Sequence, residues 1–223
     1  MLEVLEMAAN GSARERYRSH VIDEIKARAW EQIASAGISA LSLNAIAKHV
    51  GMSGPGLYRY FASRDELITE LIRDAYRSLA DTMRAAVDSG ADVTALAYAV
   101  REWSLHDRQR YFLIYGTPVP GYHAPQDTTR ISSEIMTVLI EVFSALPVDQ
   151  PPTEFDTHLA SHRDWADDDA IPATTLHRCL SFWTRLHGVL SLELAGHFAG
   201  MGFDPALLFA DELKTLRVLT DGT

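Results

Sequence analysis

The 223-residue chain contains little cysteine, no long hydrophobic run and no basic N-terminal leader. Its single cysteine, Cys179, excludes an internal disulfide framework. The longest apolar runs, such as YFLIYG and VLIEVF, are far shorter than the roughly 20 residues needed to cross a bilayer. The first stretch, MLEVLEMAAN, carries two glutamates and no basic residue, unlike a secretory signal. We therefore expect a cytoplasmic protein that does not enter a membrane.

The sequence also lacks strand-like alternation, which predicts an all-α fold of about nine helices. Complete catalytic motifs are missing too. The stretch GMSGP begins like a nucleophile elbow but has proline where the second glycine should stand, and GPGLYR has arginine at the last glycine of a dinucleotide loop. His158, His162 and Asp164 have metal-ligand spacing only if they are helical, with no further ligand fixed. We expect no enzyme activity, cofactor or metal.

The net charge of −10 is unevenly distributed along the chain. Residues 1–64 hold 8 lysines and arginines against 6 aspartates and glutamates, whereas residues 65–223 hold 12 against 24. A mildly basic head on an acidic body is the asymmetry expected of a chain whose first part binds DNA.

Helical periodicity dominates what is present. A first helix carries an apolar stripe and ends near Gly37, and a second begins after the N-cap candidate Ser42. The capping-box pattern Ser63-x-x-Glu66 predicts a third, long helix over 64–88. The proline-rich stretch 147–172 is interpreted as an irregular loop. Further helices are predicted over 93–105, 108–116, 129–146, 173–200 and 205–219.

The stretch MSGPGLYRYF, residues 52–61, is best explained as a short helix capped by Ser53. Leu57 and Phe61 are four residues apart, share one face and are predicted to pack inward. Tyr58, Arg59 and Tyr60 are left facing outward. A short exposed helix that follows another after a tight turn indicates a helix-turn-helix.

These residues resemble the DNA-binding domain of tetracycline-repressor-type (TetR) regulators over residues 20–80. The resemblance is carried by Ala-Gly at 36–37, LSLNAIAKHVGMSGPGLYRYF at 41–61 and SRDEL at 63–67. In the C-terminal part, Trp183-x-x-x-His187-Gly188 and YGTPVPGY at 115–122 resemble the Trp-His-Gly subgroup of the family.

The resemblance implies a three-helix helix-turn-helix head joined by a long helix to a larger helical body. We interpret residues 1–17 as an N-terminal arm that need not be ordered, and 18–64 as the DNA-binding domain. Residues 65–223 would then bind an effector and form a homodimer. The function implied is a repressor that binds a palindromic double-stranded operator and is released by a small hydrophobic or aromatic molecule. A helical small-molecule-binding protein without DNA activity and a helical enzyme remain as alternatives.

The resemblance also implies a recognition helix over 53–60. Tyr58 would touch base methyls or sugar, and Tyr60, where many relatives have histidine, would touch phosphate. Gly56 offers no side chain for base contact. The residues implied to contact DNA are Ser42, Asn44, Ser53, Gly54, Pro55, Gly56, Tyr58, Arg59, Tyr60 and Arg64.

Two further sets are predicted in the body. Residues expected to line an effector site are Trp103, His106, Phe112, Tyr115, Phe143, Trp183 and His187. Residues expected at the dimer interface are Leu176, Leu180, Leu190, Leu194, Phe198, Leu208, Leu216 and Leu219.

Overall fold

The computed structural model describes residues 2–123, 125–147, 151–166 and 168–221, with side chains described between Ala13 and Thr215 except at 126 and 127. These residues form ten α-helices and no strand, which confirms the all-α prediction. The helices are α1 (Leu2–Ala36), α2 (Leu43–His49), α3 (Gly54–Leu57), α4 (Arg64–Asp88), α5 (Val93–His106), α6 (Arg108–Tyr115), α7 (Gln126–Ser144), α8 (Glu154–Leu159), α9 (Ala173–Leu194) and α10 (Pro205–Asp221).

The chain divides into two compact units. The first, which we call the head, comprises Met1–Ile72 and the separate segment Thr117–His123. The second, the body, comprises Arg73–Gly116 and Ala124–Thr223. The predicted domain limits at 17 and 64 stay predictions, and α1 already begins at Leu2. Among the described helices, none combines the length and apolar content needed to span a bilayer.

The head is built on one small apolar core. The apolar stripe that the sequence predicts for α1 is Ile22, Ile25, Ala29 and Ile33. The last three are buried as predicted, whereas Ile22 is half-buried and Val21 is buried instead. Burying these aliphatic side chains is the main term that stabilises so small a unit. Side chains buried in the head include Val21, Ile25, Ile33, Leu43, Ile46, Leu57, Phe61, Leu67, Ile68 and Leu71.

Local capping fixes the helix starts of the head. The hydroxyl of Ser42 accepts the Ala45 N–H at 3.3 Å, as predicted. At α4 the Ser63 hydroxyl accepts the Glu66 N–H at 3.1 Å, whereas the Glu66 carboxylate accepts the N–H of Ala62. In a standard capping box the Glu66 carboxylate would accept the N–H of the N-cap residue, Ser63. Here it accepts the N–H of the preceding residue, so only half of the predicted capping box forms as expected.

In the body, the interpretation of 147–172 as irregular was wrong at α8. Thr153 and Asp156 form a reciprocal capping box that starts this helix directly after two prolines. Burial alone would raise the pKa of Asp156, but hydrogen bonds from Thr153 and His177 outweigh it and lower that pKa. The helix ends at Leu159, so His162 of the metal-spacing pattern lies beyond it. Helix α9 also ends earlier than predicted, at Leu194.

Candidate DNA interface and aromatic cluster

Helices α2 and α3 are joined by the tight turn of a helix-turn-helix. Gly51 takes a positive φ of 68°, and the Met52 N–H donates to the Ala47 carbonyl at 2.8 Å. Left-handed backbone is costly for residues with a side chain, so Gly51 suits this turn. The Ser53 hydroxyl then accepts the Gly56 N–H at 3.2 Å and caps α3.

Helix α3 is shorter than the predicted 53–60, because its regular part ends at Leu57. Beyond it the chain tightens into a turn in which the Tyr60 N–H donates to the Leu57 carbonyl at 2.8 Å. Leu57 and Phe61 are buried, as predicted. The side chain of Tyr58 is 47% exposed, and Arg59 is also exposed. The exposed side chains therefore lie on a turn whose position is fixed by the buried Leu57 and Phe61.

The two glycines of α3 differ in how much room a side chain would have. A Cβ on Gly56 would lie 3.0 Å from the Ser53 hydroxyl oxygen, tight enough to disturb the cap. A Cβ on Gly54 would lie 3.4 Å from Oδ1 of Asn44, which is exposed on α2. Pro55 is exposed in the first turn, where its missing N–H is tolerated.

Arg64 connects α4 to the segment before α2. Its Nη2 donates to the Ile38 carbonyl at 2.7 Å and its Nε to the Leu41 carbonyl at 3.2 Å. A guanidinium has more N–H donors than these bonds use, so a phosphate contact remains open to it. Arg64 thus orients the helix-turn-helix in addition to its predicted role.

One residue of this surface was missed by sequence reasoning. The guanidinium carbon of Arg18, on α1, lies 5.2 Å from the ring centroid of Tyr60, a cation–π distance. Arg18 belongs to the basic stretch RERYR, residues 14–18, which spans the predicted boundary between the arm and the DNA-binding domain. That cluster of arginines was the available signal. We call Tyr58, Arg59, Tyr60 and Arg18 the outward tyrosine surface.

The body contains an aromatic cluster formed by Tyr76 of α4, Tyr111 and Tyr115 of α6, and Trp183 and His187 of α9. The His187 ring centroid lies 4.1 Å from that of Trp183 and 4.2 Å from that of Tyr115. Tyr76 meets Tyr115 edge-on at 6.1 Å. Such tilted and edge contacts are the favoured geometries of aromatic pairs.

Hydrogen bonds continue through this cluster. The Tyr111 hydroxyl lies 2.9 Å from Nδ1 of His187 and 2.7 Å from the hydroxyl of Ser191. Nε2 of His187 is buried and has no hydrogen-bond partner among the described residues. Burial lowers the pKa of His187 to about 4 and raises that of Tyr115 far above its usual value. Both groups are therefore neutral at pH 7.

Of the residues predicted to line an effector site, Tyr115, Trp183 and His187 come together in the cluster, and Phe112 packs edge-on against Tyr111. The others lie elsewhere. Trp103 donates its indole N–H to Ser78 at 3.1 Å, and Phe143 packs in the core. His106 is exposed at the end of α5. Tyr76 and Tyr111 were missed, although Tyr111 stands one helical turn before Tyr115.

The predicted dimer residues divide by burial. Leu176, Leu190 and Leu194 are buried in the core of their own chain and have no surface to offer a partner. Leu180, Phe198 and Leu208 are half-buried, whereas the side chains of Leu216 and Leu219 lie outside the described residues. Among the described side chains of α9 and α10, the large apolar ones that are exposed are Leu192 and Leu207.

Known proteins match both units. Residues 25–71 match the family model for bacterial regulatory proteins of the tetR family, and residues 93–216 match the tetracyclin repressor-like C-terminal domain. The chain belongs to the TetR family. The placement in the Trp-His-Gly subgroup stays a prediction.

Individual proteins similar to this TetR regulator support the family assignment. The HTH-type transcriptional regulators Rv1816 of Mycobacterium tuberculosis and Mb1846 of Mycobacterium bovis are each 34% identical to it, with 97% of both chains covered. SCO4313, a protein with a crystal structure and described as a regulatory protein, is 66% identical in sequence to this chain. The two structures match with a TM-score of 0.86, over 91% of this chain and 97% of SCO4313. A Rhodococcus protein with unknown function shares the fold, with a TM-score of 0.67 at 20% identity.

The family assignment settles the class of protein. It is a DNA-binding transcriptional regulator and not an enzyme. The contacts expected of individual residues with DNA stay predictions, as do the effector and dimer residues.

Acid is expected to destabilise this TetR regulator through His187. The unfolded chain binds a proton near pH 6.5 and the folded chain only near pH 4, because the imidazole is buried. The stability from this group is therefore complete above pH 6.5 and is lost as the pH falls from there toward 4. At pH 5 the loss is about 2 kcal/mol.

Denaturant unfolding between pH 7.5 and 4.5 measures this loss. The variant His187→Gln cannot take up the proton, so its free energy of unfolding should fall less steeply over that range. The groups around His187 are Tyr111, Tyr115, Trp183 and Ser191, none of which titrates there. Equal pH slopes for the two proteins would contradict the prediction.

Proposed function

We propose that this regulator is a repressor that binds a pseudo-palindromic operator as a homodimer and releases it when a small hydrophobic or aromatic effector binds the body. The observation that carries the proposal is the outward tyrosine surface after α2 and α3. Tyr58, Arg59 and Arg18 are exposed and Tyr60 is half-buried, and together they offer ring faces and cations suited to bases and phosphates. DNA, and hence the site of action, would be cytoplasmic.

A dimer is expected because one helix-turn-helix reads only a few base pairs. Two copies spaced by about 34–36 Å reach successive major grooves on one face of the duplex. Without the buried leucines, the proposed interface keeps Leu180, Phe198, Leu208, Leu216 and Leu219, and we add the exposed Leu192 and Leu207. These residues lie on α9, on α10 and in the segment between them, which supports a bundle of paired helices.

Two stretches of chain connect the effector site to the DNA-binding head. Helix α4 passes from the head at Ile72 into the body at Arg73. The segment Thr117–His123 follows α6, which carries Tyr115, and packs in the head, where the Tyr122 hydroxyl lies 2.9 Å from that of Thr69. We propose that movement of Tyr115 on effector binding is transmitted to the head through α4 and through the Thr117–His123 segment. A preference of a few kcal/mol for one state is sufficient to release DNA.

Selection of bound fragments from genomic DNA, followed by fluorescence anisotropy on the selected site, tests the proposal. We expect an inverted repeat, a stoichiometry of two chains per site, and an affinity that falls steeply with salt because phosphate contacts release counterions. A non-repeated site bound by one chain would contradict the dimer. Transcription that rises when the regulator is added would contradict repression.

A further inference from the structure

One polar atom in the aromatic cluster is left without a partner. Nε2 of His187 is buried and makes no hydrogen bond within the described part of the chain, while Nδ1 of the same ring lies 2.9 Å from the Tyr111 hydroxyl. Buried polar groups in folded proteins are nearly always paired, so an exception calls for an explanation.

The hydrogen bonds around Tyr111 identify which imidazole nitrogen carries the proton. A phenol is a stronger donor than an aliphatic hydroxyl, and an imidazole nitrogen is the strongest acceptor present. The arrangement that these strengths favour has Tyr111 donating to Nδ1 of His187, and the Ser191 hydroxyl, 2.7 Å away, donating to the phenol oxygen. A neutral imidazole has a single N–H, and in this arrangement it lies on Nε2. The unpaired atom is thus a donor.

The surroundings define what can satisfy this donor. Trp183 and Tyr115 lie against the imidazole, with ring centroids 4.1 and 4.2 Å from its own, and the members of the cluster carry no charge at neutral pH. Aromatic walls favour a flat apolar ligand. A charged ligand would lose its hydration here without gaining an opposite charge.

We propose that the Nε2–H of His187 is the polar recognition point for the effector, and that the effector is an uncharged aromatic compound bearing a carbonyl oxygen. The inference rests on the proposed function, whose effector site it makes specific. Nε2 is inaccessible to solvent, so the ligand must displace a neighbouring ring to reach it. Tyr115 is the neighbour closest along the chain to the Thr117–His123 segment. A ligand that displaces Tyr115 would pair this donor and would act directly beside that segment.

Matched pairs of ketone and hydrocarbon test the inference on the full chain. The probes are 1-tetralone against tetralin and acetophenone against ethylbenzene, with binding followed by titration calorimetry and thermal shift. We expect each ketone to bind at least about tenfold more tightly than its hydrocarbon, the effect of one hydrogen bond of about 1.4 kcal/mol. His187→Phe should remove this ratio, and His187→Gln, which keeps a side-chain N–H, should retain part of it.

Three results would overturn the inference. They are equal affinity for ketone and hydrocarbon, failure of both ketones to bind at millimolar concentration, and ¹⁵N spectra that place the His187 proton on Nδ1. The spectra need no variant and no ligand, so a misfolded His187→Phe protein leaves the test intact.

Operator binding is measured separately on the same samples. A ketone preference without any operator binding would contradict the proposed function while supporting the ligand site. Normal operator binding without a ketone preference would support the proposed DNA binding and contradict the assignment of His187 as the recognition point.

Discussion

Replacing Tyr58 and Tyr60 together by alanine is expected to weaken specific operator binding by about 100-fold or more. Each lost contact to a base or phosphate costs about 1–3 kcal/mol, and the two losses act on one surface. The loss of stability should be small at Tyr58, which is 47% exposed, and larger at Tyr60, which is half-buried and contacts Arg18, so the melting temperature of the variant is measured alongside its affinity. Fluorescence anisotropy on the selected operator measures the affinity, and circular dichroism measures the melting temperature.

Two controls separate the contributions at this surface. Tyr58→Phe with Tyr60→Phe keeps both rings, including the ring beside Arg18, and removes only the hydroxyl groups. Leu105→Ala removes an apolar side chain of α5 that is 41% exposed and belongs to no predicted interface, and it should leave the operator affinity unchanged. If the double alanine variant binds the operator like the unmodified protein, the recognition surface has been assigned to the wrong residues.

Glu193→Ala is expected to cost about 3–5 kcal/mol of folding free energy. Glu193 pairs with Arg101 at 2.5 Å, and the two side chains are only 12% and 14% exposed. Arg101 also lies over the Phe209 ring, 5.4 Å from its centroid. Removing the carboxylate leaves a buried cation without its partner, which is far more costly than losing the pair altogether. A fall of about 10 °C in melting temperature should accompany the loss.

The chain supplies its own matched comparison for this prediction. Arg84 and Glu141 form an Arg–Glu pair at 2.6 Å whose side chains are 42% and 54% exposed. Because water screens that pair, Glu141→Ala should cost less than about 1 kcal/mol. The double variant Arg101→Met, Glu193→Leu should recover most of the stability that Glu193→Ala loses. Similar losses for Glu193→Ala and Glu141→Ala would show that burial does not decide the outcome.

The head was predictable to the extent that its determinants are local. Ser42 and Ser53 cap helices through bonds to residues three positions away, and Leu57 and Phe61 are anchors because of their spacing. The sequence does not predict helix α8, because prolines such as the two before it usually interrupt helices. They stand ahead of the N-cap Thr153, where proline does not interrupt helical hydrogen bonds.

The body was predictable only in outline, because its contacts join residues far apart in sequence. The leucines of α9 have the same pattern whether they face their own core or a second chain, and Leu176 and Leu190 turned out to face the core. Tyr111 meets Ser191 across 80 positions, so no spacing rule could reveal it. The Trp183 and His187 pair was found through a family resemblance, which is information of a different kind.

The head is not a continuous piece of the polypeptide, and this limits how it can be transplanted. Val119 is buried in it and Tyr122 bonds to Thr69, yet these two residues lie 47 and 50 positions beyond Ile72, where the N-terminal stretch of the head ends. In a chimera that joins residues 1–72 to the body of another regulator, the segment between α6 and α7 would come from that other regulator. It would replace Thr117–His123 in the packing of the head. Reporter strains and biosensors made by exchanging heads should therefore carry Thr117–His123 along with the first 72 residues.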